Sequence, residues 1–133
     1  MIGVIAMRTI PKEESLDVEF KSDLKCYPDH DLIEEIVGMT NTSGGCLFLG
    51  VEDDGTITGV HKKHNDPIGV TALIANSTVP PIAVRAEIIT EEDKDVLKIA
   101  SYSQDKILSH SKVPASNPHP SAEAVPGVLF SMY

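Results

Sequence analysis

The sequence predicts an α+β domain in which a small mixed β-sheet is combined with two helices. Three observations support this prediction. Polar and apolar residues alternate early in the chain, as they do in a half-buried strand, and the apolar residues that follow recur at helical spacing. A short, continuously apolar segment then comes after two glycines and is typical of a strand covered on both faces. The full order is strand, helix, hairpin, helix, hairpin, which favours an α+β arrangement.

The first strand is predicted over 16–21, because its residues alternate with a period of two. A helix is predicted next, with its N-cap within 29–31, and its apolar residues between 32 and 40 lie three and four positions apart. The segment 41–45 contains two glycines and is expected to end this helix. In the first strand, the residues expected to face the core are Leu16, Val18 and Phe20.

The apolar run at 46–51 predicts a second strand, and Asp54-Gly55 predicts a turn into a third strand at 56–60. A second helix is predicted over 68–77 and should stop before the two prolines at 80–81. The last two predicted strands form a hairpin around an acidic turn at 90–95: they span 82–89 and 96–100.

The end of the chain has a different character. From residue 101 onward periodicity is lost, Ser, Pro, His and Asn accumulate, and the prolines prevent long regular elements. We expect an extended segment that is held to the body by the apolar stretch 128–130. The predicted organisation is therefore a lead-in at 1–13, one domain at 14–100 and a C-terminal extension at 101–133.

The composition excludes several classes of protein. No apolar run approaches the roughly 20 residues that cross a bilayer, and the apolar start is too short for a signal peptide. Two cysteines do not form a disulfide framework, which favours a cytoplasmic location. The formal net charge is −9. A nucleic-acid-binding role would therefore need a local basic patch or bound cations.

Carboxylates gather near the first strand. Glu14 precedes it, and Glu19 and Lys21 share its polar face. Carboxylate oxygens are preferred ligands of Mg²⁺ and Mn²⁺, so these acids are candidate metal ligands. On spacing alone, a solvated strand face with a cross-strand ion pair is the simpler interpretation. A second acidic run lies at 52–54, where turn chemistry requires only Asp54.

Other motifs give weaker signals. The glycines at 44–45 could bring backbone N–H groups to a phosphate, but a structural role at the helix end is the better interpretation. His61 and His64 are three residues apart, as metal ligands can be. No further Cys or His pair completes a zinc set, so we interpret both as solvated loop residues. Surface solubility explains the basic residues equally well, but three are candidates for nucleic-acid contacts: Lys62, Lys63 and Arg85.

Four motifs follow one another in a fixed order: Glu14-x4-Glu19-Phe20-Lys21, Asn41-Thr42-x-Gly44-Gly45, Leu47-Phe48-Leu49-Gly50-Val51-Glu52-Asp53-Asp54-Gly55 and Ile57-x-Gly59. Together they resemble the Schlafen-type, Alba-like DNA-binding domain over about 14–100. The resemblance implies an α+β nucleic-acid-binding fold, and bacterial members are usually described as transcriptional regulators.

The resemblance also implies a metal site. Animal Schlafen proteins cleave transfer and ribosomal RNA with three carboxylates. Carried over to this sequence, the catalytic and metal-binding residues are Glu14, Glu19 and Asp53, with Lys21 as a phosphate contact and Mg²⁺ or Mn²⁺ as the cofactor. Bound metal would activate water and neutralise charge at phosphorus. One departure is that the arginine-rich strand usual in the family is replaced here by 112–116.

The leading hypothesis is a DNA-binding or, more broadly, nucleic-acid-binding module of a transcriptional-regulator-like protein. One alternative is a metal-dependent endoribonuclease that uses the three carboxylates. Another is a structural or dimerisation domain without a ligand. DNA or RNA is the expected partner and a membrane is not. A homodimer is a further hypothesis, because a small mixed sheet leaves open edges that a second copy could cover.

Overall fold

The computed structural model describes residues 8–103 and 129–133. Two helices and six strands lie in these ranges, with one turn of 3₁₀ helix at Lys62–His64. In chain order the elements are β1 (Val18–Lys21), α1 (Asp29–Thr40), β2 (Gly44–Leu49), α2 (Pro67–Asn76), β3 (Thr78–Val79), β4 (Arg85–Glu91), β5 (Lys94–Tyr102) and β6 (Ser131–Met132). The predicted α+β class is confirmed.

The main sheet is mixed and has the strand order β1-β2-β5-β4. β1 runs parallel to β2, with Glu19 opposite Leu47, whereas β5 is antiparallel to both of its neighbours. β1 and β4 are therefore the two edges. β3 and β6 form a separate antiparallel pair.

A first core cluster lies between the main sheet and the two helices. Leu32 and Ile36 come from α1, and Val70 and Ile74 from α2. These side chains are almost completely buried, as their three- and four-residue spacing predicts. The other buried members come from the sheet and the loop before β4: Leu47, Leu49, Ile82, Leu97 and Ile99.

A second core cluster covers part of the opposite face of the sheet. Phe20 and Phe48 meet edge to face there, with ring centroids 6.1 Å apart. Ile10 from the lead-in is also buried in this cluster, and its N–H donates to the Glu91 carboxylate over 3.1 Å. The remaining buried members are Val51, Ile57 and Val96.

The start of the first strand differs from the prediction. Leu16, expected to face the core, is fully exposed, and β1 begins only at Val18. The reason is a tight turn in which Ser15 and Val18 exchange both backbone hydrogen bonds. This turn removes Leu16 from the alternation that the later strand residues follow.

The N-terminus of α1 also differs. The predicted N-cap within 29–31 is wrong, because Pro28 occupies the N-cap position and provides no side-chain cap. Asp29 is already the first helical residue, and its carboxylate contacts His64 instead. The predicted third strand is reduced to a single bridge between Val51 and Ile57.

The glycines at 44–45 have a structural role, as predicted, but they have it at the start of β2 and not at the end of α1, whose C-cap is Asn41. Gly44 has φ +78°, and a side chain there would collide with the backbone of Ser101. A side chain at Gly45 would collide with Asp17. These two close approaches let β2 enter the sheet between β1 and β5.

The C-terminal residues return to the body. Phe130 packs against the first core cluster, as predicted, whereas Leu129 is exposed. The Asn41 side chain accepts the N–H of Phe130 over 2.8 Å and donates to its carbonyl over 2.9 Å. Residues 101–102 of the predicted extension continue β5, whereas 104–128, including 112–116 and Val128, lie outside the described residues. In the described ranges, no helix combines the length and apolar character that a bilayer crossing requires.

Candidate functional site

The predicted acidic residues occupy three separate settings. Glu14 is exposed, and one of its carboxylate oxygens accepts the N–H of Phe20 over 2.9 Å. Glu19 lies on β1 and contacts the Lys21 ammonium over 3.2 Å. Asp53 is exposed in the turn that the Val51–Ile57 bridge closes.

The carboxylates of Glu14, Glu19 and Asp53 have the oxygen chemistry that Mg²⁺ or Mn²⁺ requires. Within the described ranges, two groups of three metal-ligating side chains have ligand atoms within 4.8 Å of one another, and this trio is not one of them. The arrangement seen here therefore does not bring the three acids together around one ion. Their catalytic role stays a prediction.

Glu19 faces the helices. Its register partner Leu47 belongs to the first core cluster, and side chains of paired residues point to the same face of a sheet. At this edge a cavity of about 330 Å³ opens between β1 and α1, and Glu19, Glu34 and Glu35 all line it. The polar side of β1 is thus acidic, except for one lysine.

That lysine, Lys21, is held by its neighbours. Partial burial lowers its pKa, but the hydrogen bond to Glu19 and the nearby charge of Glu35 outweigh this effect, so the pKa is raised. Its ammonium also lies 6.0 Å from the centre of the Tyr27 ring. Lys21 is therefore charged, and it is already paired with a carboxylate.

The three predicted basic residues do not share one surface. Lys62 and Lys63 are exposed on the 3₁₀ helix, and Lys63 lines a concavity beside His64 and the start of α2. Arg85 begins β4 and lines a different concavity, on the sheet. Its neighbours there are Glu87, Lys98, Ala100 and Tyr102.

The surface around Arg85 belongs to the sheet face that carries the second core cluster, in the half that none of the described members of that cluster covers. Val96 of β5 is buried in that cluster, and every second residue after it points the same way. Lys98 and Tyr102 therefore lie on this face, and Arg85 and Glu87 join them through the β4–β5 register. Tyr102 is 38% exposed.

His64 and Asp23 belong to a buried polar cluster that the sequence pattern does not predict. His64, interpreted as a solvated loop residue, is only 2% exposed, and Asp23 is 1% exposed. The Nδ1 atom of His64 lies 3.0 Å from both carboxylate oxygens of Asp23, and Nε2 lies 2.9 Å from a carboxylate oxygen of Asp29. The interpretation of His64 was wrong because these two acids, distant in sequence, draw it inward.

The charge of His64 follows from this geometry. Burial by itself lowers the pKa of the imidazole, but hydrogen bonds and charge from Asp29 and Asp23 outweigh it and raise the pKa. The only sequence signal was the three-residue spacing of His61 and His64. The structure uses the two differently, since His61 Nδ1 accepts the Lys63 N–H at the start of the 3₁₀ helix.

The chain is similar to known proteins in both sequence and fold. The family model described as Schlafen, AlbA_2 matches residues 14–123. Among solved structures, the DIP2311 protein from Corynebacterium diphtheriae is similar with a TM-score of 0.55 and 23% identity, over 65% of this chain and 18% of that one. The N-terminal domain of a RecG-related protein from Nitrosomonas europaea is similar with a TM-score of 0.47 and 19% identity, over 71% of this chain and 66% of that one.

The likeness to the Corynebacterium protein supports the fold alone, and the chain spans less than a fifth of that protein's length. The family match is broader, because it covers most of the chain and includes all four motifs that carry the resemblance. The chain therefore belongs to the Schlafen, AlbA_2 family.

Proposed function

We propose that this chain is a nucleic-acid-binding module. We also propose that the module is part of a transcriptional regulator, as the bacterial proteins it resembles are described. One observation carries the proposal. On the sheet face that carries the second core cluster, Arg85, Lys98 and Tyr102 line a single shallow concavity of about 220 Å³. A cationic pair beside an exposed ring is the combination that binds phosphates and bases together.

The local charge favours nucleic-acid binding at this surface, although the net charge of the chain is −9. Among the described residues, two cations line the concavity against one carboxylate, that of Glu87. The Arg85 guanidinium can hold a phosphate through two parallel hydrogen bonds, and the Lys98 ammonium adds a point charge. Tyr102 offers a ring face on which a base can stack. A single strand suits this sheet face better than a duplex does, because no helix of the described ranges projects from it.

The experiment is a fluorescence anisotropy titration with labelled single-stranded DNA, single-stranded RNA and duplex DNA. We expect R85A/K98A to weaken binding and to reduce the salt slope on a single strand by about 0.7 for each phosphate that the variant no longer neutralises. Tyr102→Ala should weaken binding about fivefold or more, because one base can no longer stack on the ring.

The matched control is K62A/K63A, which removes the same charge from a different surface. We expect its binding and salt slope to stay close to those of the unmodified protein. If K62A/K63A binds more weakly than R85A/K98A, the contact surface lies on the 3₁₀ helix instead. If the unmodified protein binds none of the three probes at low salt, the proposed function is wrong.

Metal-dependent RNA cleavage is the second candidate. The motif of Glu14, Glu19 and Asp53 supports it, and so does the acidic cavity that Glu19 shares with α1. Cleavage would require the three motif carboxylates to come closer than they lie here, so we assign no reaction step to them. An assay of Mn²⁺-dependent cleavage of structured RNA, with Glu19→Gln as the test variant, decides this candidate.

A structural or dimerisation domain is the third candidate. β4 is an open edge of the sheet, and an apolar strip lies beside it on α2 and β4, formed by Ile68, Ala72, Ala75 and Ala86. Apolar area next to an open edge favours association with a second copy of the chain. Light scattering on the purified protein tests this, and Ile68→Glu should then shift a dimer to a monomer.

A further inference from the structure

We propose that Asp23, Cys26 and His64 form a binding site for Zn²⁺ or a similar divalent transition-metal ion. One ligand atom from each of the three residues lies within 4.8 Å of the others. The proposal does not depend on nucleic-acid binding, and it involves none of the residues assigned to the sheet surface or to the three-carboxylate motif.

Burial separates this group from a chance cluster of surface side chains. The side chains of Asp23 and His64 are almost completely inside the protein, and Cys26 is half-buried. The other group with comparable spacing in the described ranges is His30, Asp31 and Glu34, whose members are all exposed on α1. Exposed ligands of that kind are mobile and solvated, so they form a poor site.

The backbone fixes the three ligands. Cys26 adopts a left-handed conformation, φ +59°, and its N–H donates to the Asp23 carbonyl over 3.1 Å, which closes a tight turn. The Asp23 carboxylate is oriented by the N–H groups of Tyr27, at 2.7 Å, and His61, at 2.6 Å. The turn after β1 and the 3₁₀ helix therefore approach the same point from two parts of the chain.

A second carboxylate gives independent support. Asp29 lies 2.9 Å from Nε2 of His64, on the side of the ring away from Asp23. When one nitrogen of a histidine binds a metal, the other commonly donates its proton to a carboxylate, which orients the ring and makes it a stronger ligand. Asp29 is in that position.

The Nδ1 atom of His64 then faces the anionic Asp23. If Nε2 donates its hydrogen to Asp29, a neutral ring has only a lone pair at Nδ1, directed at two carboxylate oxygens 3.0 Å away. A cation must lie at Nδ1 to relieve this repulsion. That cation is a proton in the metal-free protein and a metal ion when one is bound. Binding then releases two protons to solvent, one from Nδ1 of His64 and one from the Cys26 thiol, which binds as the thiolate.

The ligand chemistry identifies the class of metal. A thiolate, an imidazole nitrogen and a carboxylate oxygen are the set that Zn²⁺ and Co²⁺ accept, whereas Mg²⁺ and Ca²⁺ prefer oxygen alone. The half-buried position of Cys26 leaves room for water to complete four-coordination. Such an ion would link the β1–α1 connection to the segment before α2.

The test is a titration of the full, reduced chain with Co²⁺, followed by displacement with Zn²⁺. We expect one ion per chain, a near-ultraviolet thiolate-to-cobalt charge-transfer band, and visible bands typical of four-coordination. Cys26→Ser should abolish the charge-transfer band. Asp29→Asn should weaken Zn²⁺ binding by about tenfold to a hundredfold, because it removes only the outer partner of His64.

Cys46→Ser is the matched control, since Cys46 is the other half-buried free cysteine and lies on β2. This variant should retain the charge-transfer band and the Zn²⁺ affinity. As a second readout, Zn²⁺ should raise the Tm of the unmodified protein and of Cys46→Ser but not that of Cys26→Ser. Circular dichroism verifies that each variant is folded.

Two results would overturn the proposal. One is an unmodified protein that shows neither the charge-transfer band nor a Zn²⁺-dependent rise in Tm. The other is a band that survives in folded Cys26→Ser or disappears in folded Cys46→Ser.

Discussion

The Nδ1 atom of His64 lies 3.0 Å from both carboxylate oxygens of Asp23, and both side chains are almost completely buried. The same carboxylate accepts the backbone N–H groups of Tyr27 and His61. One acidic side chain thus connects the turn after β1 with the 3₁₀ helix before α2. The buried polar cluster therefore links these two segments of the chain, whether or not a metal is bound.

His64→Leu should lower the free energy of unfolding of the metal-free protein by about 3–5 kcal/mol, because it leaves Asp23 buried without its cation. Chemical denaturation in EDTA measures this change. His30→Leu is the control: His30 is highly exposed and contacts Glu34 at 3.6 Å. Its effect should stay within about 0.5 kcal/mol. A His64→Leu effect as small as that of the control would show that the buried pair contributes little.

The stability that His64 provides should depend on pH. Its pKa in the folded protein is raised above the ordinary value of 6.5, although burial opposes the shift, because Asp29 and Asp23 favour the charged ring. The contribution is therefore complete below pH 6.5 and is lost as the pH rises through the folded-state pKa. Other charged groups beside the ring are Lys63 and Asp66, which line the same concavity.

The measurement is the difference in unfolding free energy between the unmodified protein and His64→Gln, in EDTA, from about pH 5 to about pH 9. This difference should shrink as the pH rises above 6.5. A difference that is flat or grows with pH would contradict the assigned charge of His64. Asp29→Asn should move the decline to lower pH, since it removes one of the two carboxylates that raise the pKa.

Gly55→Ala should destabilise the protein by about 2 kcal/mol or more. Gly55 has φ +88°, and a Cβ there would overlap the carbonyl oxygen of Lys12. The Gly55 carbonyl also accepts a hydrogen bond from Arg8 over 2.7 Å, so the lead-in and the turn that contains Gly55 pack together. Thermal or chemical unfolding measures the loss.

Gly38→Ala is the control for this glycine. Gly38 lies within α1, and a Cβ there would meet nothing within 4 Å. Alanine should stabilise this helix by about 0.5–1 kcal/mol. Equal effects at the two positions would mean that the close approach at Gly55 has no energetic consequence.

Glu19→Gln tests the cleavage candidate. If Glu14, Glu19 and Asp53 hold a metal, the unmodified protein should cleave structured RNA with Mn²⁺ and not with EDTA, and Glu19→Gln should abolish the cleavage. Glu34→Gln is a matched control, since Glu34 lines the same cavity but lies outside the motif. Cleavage that persists in Glu19→Gln would remove this carboxylate from the mechanism.

The sequence pattern was sufficient for much of the fold. The alternation up to Lys21, the helical spacing through Thr40 and the apolar residues up to Leu49 correspond to β1, α1 and β2, and each pattern shows which faces the element buries. Such patterns are local, so they can be recognised without knowledge of neighbouring strands. The family could be recognised from the sequence for the same reason, because its four motifs are local and follow one another in a fixed order.

The burial of His64 could not be predicted in this way. His64 lies between lysines and polar residues, and the same local sequence suits an exposed loop. Its burial depends on Asp23 and Asp29, which lie 41 and 35 positions earlier in the chain. Leu16 shows the converse, since a tight turn exposes a residue whose spacing indicated the core.

The sequence by itself determined the α+β class, the family and the type of most elements, because periodicity and turn chemistry are local properties of the chain. The tertiary structure decided which side chains meet. Sheet register places Arg85 beside Lys98 and away from Lys62, and the packing of two loops brings His64 to Asp23. These contacts join residues far apart in sequence, so they exist only once strands and helices have packed together.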